Sequence, residues 1–85
     1  GETTLSTSPN PANDYLNINI DSKVEASTSL QIFNLVGQKV YTKSIVLGKG
    51  YNSYSITTDN LPSGSYIAKL DINGRSIIEK IHIIR

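Results

Sequence analysis

Asn73-Gly74, set between two alternating apolar segments, constrains this chain more than any other feature. A two-residue type I′ turn needs a positive φ at both central positions, which Asn tolerates and Gly adopts freely, and its twist matches that of two antiparallel strands. The pair therefore predicts a hairpin in which Ile72 faces Arg75, Leu70 faces Ile77, Ala68 faces Glu79 and Tyr66 faces Ile81. Most of these pairs place apolar groups on one face. Glu79 beside Ala68 does not suit a fully buried site, so either that end of the sheet is open to water or a bulge resets the register. Just upstream, Leu61-Pro62-Ser63-Gly64 forces a second turn, because Pro62 has the φ that the second position of a type I or II turn requires and Gly64 supplies conformational freedom. Tyr66, Ala68 and Leu70 then alternate with Ser65, Ile67 and Lys69, which is the period of a strand with one face on a core.

The rest of the chain reads in the same way. A weak strand over residues 3–7 stops at Ser8-Pro9-Asn10-Pro11, where two prolines remove ladder donors, and residues 9–14 form a rigid loop. Residues 15–20 put Leu16, Ile18 and Ile20 on one face against Tyr15, Asn17 and Asn19 on the other. Residues 21–29 are polar apart from Val24 and Ala26, and are expected to be either a connection between layers or a short helical turn. Leu30 to Phe33 alternates again and runs into Asn34-Leu35-Val36-Gly37, a link closing on Gly that suggests a type I turn with Gly37 in the left-handed region. A strand resumes over residues 38–45, with Val40 as its expected core residue. Leu47-Gly48-Lys49-Gly50 is a flexible turn, followed by a strand over residues 51–57. No sustained 3.6-residue apolar repeat occurs. Seven short strands at intervals of roughly ten residues predict an all-β fold, a seven-stranded antiparallel immunoglobulin-like β-sandwich.

Length and charge exclude several functions. Eighty-five residues make one small domain over residues 1–85, and such a chain buries about 60–65% of the surface that its unfolded form exposes. There is no cysteine, so neither disulfides nor thiolate metal sites are available. Eight basic and seven acidic residues leave a net charge of +1 with no basic stripe, which argues against a nucleic-acid partner. The longest apolar runs, such as Ile45-Val46-Leu47, fall far below the about 20 residues of a transmembrane helix, and no charged-then-apolar leader opens the chain. The abrupt polar start suggests a piece cut from the end of a longer protein.

Residue patterns offer little chemistry. His82 is the one histidine, without a Cys or second His to share a metal. Asp14, Asp21, Asp59 and Asp71 lack the spacing of a calcium loop and read as turn and rim residues. The serines lie in no G-x-S-x-G setting, and Gly48-x-Gly50 is too short for a phosphate loop. No catalytic residue, metal ligand or cofactor site is expected. Leu61-Pro62-Ser63-Gly64 looks like a sortase L-P-x-T-G tag but lacks its Thr, its following apolar segment and its basic tail. Five tyrosines and Phe33 read as core or cross-strand residues, with a sugar-stacking platform as the alternative.

Four segments in order carry a resemblance: residues 8–16 (SPNPANDYL), residues 30–40 (LQIFNLVGQKV), residues 61–66 (LPSGSY) and Glu79-Lys80-Ile81. Together they resemble the type A C-terminal sorting domain of the Bacteroidetes type IX secretion system, over residues 5–85. The resemblance implies a folded, non-catalytic address on a larger exported protein. Its passenger, attached covalently, crosses the inner membrane by a separate leader. The address is then recognised in the periplasm, and the protein is carried through the outer-membrane translocon with a shuttle protein. A surface sortase-like peptidase removes the domain upstream of the first strand, leaving the passenger released or joined to lipopolysaccharide at the cell surface. Carried over by position, Pro9, Asn10 and Pro11 shape the first loop, Gly37 and Gln38 the central hairpin, and Leu61, Pro62, Gly64 and Tyr66 the penultimate turn and strand. Lys80 and Ile81 belong to the recognised terminal segment, on which Lys80, His82 and Arg85 are the exposed candidates for direct recognition. The ending in Arg85 departs from the usual Lys, keeping the charge but changing donor geometry. A small adhesion or carbohydrate-binding sandwich and a structural spacer are the alternative functions.

Overall fold

Alternating segments become strands wherever a strong turn delimits them, as the computed structural model, which describes residues 2–84, makes plain. The elements are β1 (Thr4–Ser8), β2 (Tyr15–Ser22), β3 (Ala26–Asn34), β4 (Lys39–Leu47), β5 (Gly50–Thr57), β6 (Gly64–Ile72) and β7 (Arg75–Ile83). They form two antiparallel sheets, β1-β2-β5 and β4-β3-β6-β7, each contributing one face to a common core. The chain is all-β, as predicted. Leu16, Ile18 and Ile20 from one sheet meet Leu30, Ile32, Ala68 and Leu70 from the other, all essentially without solvent contact. At about 25 cal/mol per Å² of apolar surface removed from water, this shared layer is the main favourable term in a chain without disulfides.

The last hairpin has the expected register in full. Tyr66 pairs with Ile81, Ala68 with Glu79, Leu70 with Ile77 and Ile72 with Arg75, while Asn73 and Gly74 take φ values of 52° and 77°. The pairing runs on without a bulge, so Glu79 is accommodated the other way: β7 is an edge strand, and its carboxylate stays half-exposed at the rim of the core.

Two expectations need correction. The polar stretch after Ile20 holds no helical turn, and the connection is only Lys23 to Glu25. It does cross between the sheets, and Ser22 organises it from a fully buried position, its hydroxyl donating to the Val24 carbonyl at 2.6 Å. Residues 26–29 already belong to β3, where Ser27 and Ser29 point to solvent opposite Val46 and Ser44. Val40 is half-buried and not a central core residue. The register shifts there from Ile32 opposite Tyr41 to Phe33 opposite Lys39, which leaves Val40 as the extra residue of a bulge. The buried positions of β4 are Ile45 and Leu47 instead.

The turn before β5, expected to be flexible, is held by one side chain. Asn52 accepts from the Gly48 amide at 3.0 Å and donates to the carbonyls of Gly48 at 2.9 Å and Gly50 at 3.0 Å. It thereby fixes the second crossing between the sheets.

Candidate functional site

The strand registers bring all four segments singled out in the sequence to one end of the sandwich. Ser8 faces Asn17 and Tyr15 faces Thr57 in one sheet, while Asn34 faces Tyr66 and Gly64 faces Ile83 in the other. The loop over residues 9–13, the hairpin over 34–38, the crossing over 58–63 and the end of β7 therefore lie together. The Asn73-Gly74 turn, the Asn52-bound turn and a cleft of about 430 Å³ lined by Glu2, Lys23, Val24, Ile72 and Arg75 occupy the opposite end.

The first loop is bound to the last strand. On its outer edge β7 presents backbone groups that no strand satisfies, and the residues after Ser8 meet them. The Asn10 side chain donates to the Lys80 carbonyl at 3.3 Å and accepts from the His82 amide at 3.2 Å. Ala12, fully buried, continues the same line: its amide donates to the His82 carbonyl at 2.8 Å, and its carbonyl accepts from the Ile84 amide at 2.8 Å. Ala12 and Ile83 thus make a parallel bridge. Pro9 and Pro11 flank Asn10, each after a cis peptide bond, and both rings are exposed. With Ala12, Asn13 and Ile84 they line a shallow cleft of about 380 Å³.

The other two segments hold the same end in shape. Asn34 governs the central hairpin: its Oδ1 accepts from the amides of Val36 at 3.1 Å and Gln38 at 3.0 Å, and its carbonyl accepts from Gly37 at 3.0 Å. Gly37 has a φ of 86°, a conformation unfavourable for any residue with a side chain, and this fits the turn expected there. The Gln38 side chain accepts from Asn34 Nδ2 at 3.3 Å. Leu61 is buried and Tyr66 is only 5% exposed. The Tyr66 hydroxyl donates to the Pro62 carbonyl at 2.6 Å and ties the end of the crossing to β6. The hydrogen-bonded turn lies just upstream of the one expected, with the Leu61 amide donating to the Thr58 carbonyl at 3.0 Å, and Gly64 already opens the strand. Ile81 is a core residue, whereas Lys80 and His82 are exposed on the outer face of β7. His82 Nδ1 lies 3.0 Å from Ser65 Oγ on the neighbouring strand. Arg85 lies outside the described residues.

Sequence reasoning missed Asn34 as the hairpin organiser, Ala12 as a bridge residue and Thr58. Thr58 is completely buried, donating through Oγ1 to the Asn13 carbonyl at 2.7 Å and through its amide to the Asp14 carbonyl at 2.9 Å. It fastens the crossing to the first loop. Only Asn34 carried a local signal, since Asn at the head of a four-residue link is the residue type of an Asx turn.

The interactions of this end hold backbone in place. Among the described residues no three His, Asp, Glu or Cys side chains gather as a metal site. The tyrosines do not form one platform. Tyr15 and Tyr51 stand on the outer face of the β1-β2-β5 sheet at opposite ends, Tyr66 fills the core, and Tyr41 and Tyr54 pack partly against it. No helix of the described residues is long and apolar enough to cross a membrane.

Comparison with known proteins agrees with this geometry. No curated protein matches the chain. The family model described as the secretion system C-terminal sorting domain matches residues 7–84, a span that begins beside the first loop and ends at the last residue bound to it. The protein belongs to the secretion system C-terminal sorting domain family.

Proposed function

We propose that these 85 residues are the non-catalytic address of a larger exported protein, read in folded form by the type IX machinery and carried through the outer-membrane translocon. The observation that carries this reading is the binding of the first loop to the last strand. Asn10 and Ala12 occupy the outer backbone groups of residues 80–84, so the terminal segment is displayed as a fixed strand, not as a loose tail. A fixed segment loses less conformational entropy on recognition, which favours a folded address over a linear one.

In this reading the passenger is attached covalently upstream of residue 1. A shuttle protein and the translocon engage the end of the sandwich in the periplasm, and a sortase-like peptidase cuts before β1 once the protein is at the surface. Pro9, Asn10, Pro11, Gly37, Gln38, Leu61, Pro62, Gly64, Tyr66 and Ile81 build the end, and Lys80 and His82 are the described side chains it offers for recognition, with Arg85 the further candidate by sequence.

The test fuses residues 1–85 to a leader-bearing reporter in a host that carries the secretion system, beside a version lacking residues 79–85. The full address sends the reporter to the surface or medium, and the shortened one leaves it inside. Equal export of both reporters, or of neither, would defeat the proposal.

A further inference from the structure

The two outer faces of the sandwich differ in kind. On the β1-β2-β5 sheet, cross-strand pairing places Thr4, Ser6, Ser8, Asn17, Asn19, Ser53, Ser55 and Thr57 outward with Tyr15 and Tyr51, and Asp21 is the single charged strand residue among them. On the β4-β3-β6-β7 sheet one outward row runs across all four strands. Lys39 faces Phe33, Phe33 faces Ile67, and Ile67 faces Lys80. The next row carries Lys69 opposite Ile78, which is 61% exposed, and His82 lies above it opposite Ser65. Phe33 and Ile67 are half-buried, so the row has an apolar middle and cationic ends. Asp71 is the one outward carboxylate of the sheet's strands, and Ser76 and Lys69 already engage it.

We propose, resting on the export reading above, that this face is where the address docks, and that its partner is a protein surface setting carboxylates around an apolar side chain. Phe33, Ile67 and Ile78 take the apolar group, while Lys39 and Lys80 meet the carboxylates. The charge pattern selects the partner's sign, since like charges brought together at an interface cost several kcal/mol. The spacing selects a protein over a lipid surface. Three strand separations of about 4.8 Å put the backbones of Lys39 and Lys80 about 14 Å apart, beyond the screening length of about 8 Å at physiological salt. They act as separate points that need separately placed carboxylates. Binding to anionic headgroups instead draws on clusters of about four to eight basic residues, more than this face holds.

The test uses the reporter fusion with three variants, each checked by thermal unfolding. Lys39→Glu/Lys80→Glu reverses both ends of the row, Ile78→Ser removes exposed apolar surface, and Lys23→Glu/Lys49→Glu makes the same charge change at the other end of the sandwich. Export falls about tenfold for the first, which corresponds to about 1.4 kcal/mol, and severalfold for Ile78→Ser, while the control exports as the parent does. Export by Lys39→Glu/Lys80→Glu at the parent level, with the version lacking residues 79–85 retained, overturns the docking face alone. Equal export of that shortened version overturns the export reading itself. Loss in the Lys23→Glu/Lys49→Glu control assigns the effect to net charge and overturns the proposal. In a second assay the 85-residue chain is sedimented with phosphatidylcholine vesicles containing phosphatidylglycerol. It stays in solution, and sedimentation that disappears with Lys39→Glu/Lys80→Glu would overturn the protein partner in favour of a lipid surface.

Discussion

Replacing Asn10 with Ala removes the side-chain half of the link between the first loop and β7 while leaving the backbone half at Ala12 intact. Two hydrogen bonds are lost, at 3.3 Å to the Lys80 carbonyl and 3.2 Å to the His82 amide. Both are long and solvent-exposed, so each contributes near the lower end of the usual range of about 0.5–1.5 kcal/mol. Together the two are worth about 1 kcal/mol, a figure that already counts the water bonds that replace them. In a domain of this size that lowers the melting temperature by about 4–8 °C. The sharper readout is amide exchange. The His82 amide depends on Asn10 Oδ1, whereas the Ile84 amide is bound to the Ala12 carbonyl at 2.8 Å. Hydrogen exchange followed by NMR should show His82 losing about fivefold or more of its protection and losing more than Ile81, which is paired inward with Tyr66 and falls at most with the global stability. Unchanged exchange at His82 would refute the account of Asn10 as the strand's side-chain partner. A stability loss above about 3 kcal/mol would refute it differently, by giving an exposed polar residue the weight of a core side chain.

Two further substitutions test the supports of the same fold. Tyr66→Phe removes the hydroxyl that donates to the Pro62 carbonyl at 2.6 Å and should lower stability by about 1 kcal/mol in thermal unfolding with export retained; lost export at unchanged stability would make that hydroxyl a contact of the machinery. Asn52→Ala strips the Gly48–Gly50 turn of its side-chain bonds and should cost about 2 kcal/mol in urea unfolding, and a change below about 0.5 kcal/mol would show that the backbone alone sets this crossing.

How much could be read from the residues depended on the range over which each contact acts. The final hairpin was legible pair by pair because Asn73-Gly74 fixes register locally and the apolar alternation on both strands agrees with it. Leu16, Ile18 and Ile20 were legible for the same reason. Val40 was not, since a bulge is decided by how β4 fits against β3, and nothing near Val40 in sequence announces it. The start of β3 was hidden because Ser27 and Ser29 face water and Thr28 satisfies its hydroxyl on the Asp71 carbonyl, so a paired strand looked like a polar link. At the candidate site, the residue types of the four segments were visible but their meeting was not. Asn10 and His82 lie 72 positions apart, and no periodicity connects them. Pro9, Asn10 and Pro11 read as a loop, and what the loop holds could be learned only from the fold.

The order in which the strands come together gives the Asn10–Ala12 link a further meaning. By Thr57 the chain contains every strand of the β1-β2-β5 sheet, whereas the partner of Asn10 arrives only with Lys80 to Ile84. A chain missing those residues still holds every strand of one sheet and β4, β3 and β6 of the other, yet it leaves Asn10 and Ala12 without their partners. The closed end thus depends on both sheets at once, because it joins the first loop of one to the seventh strand of the other and forms only when both halves of the sandwich have folded.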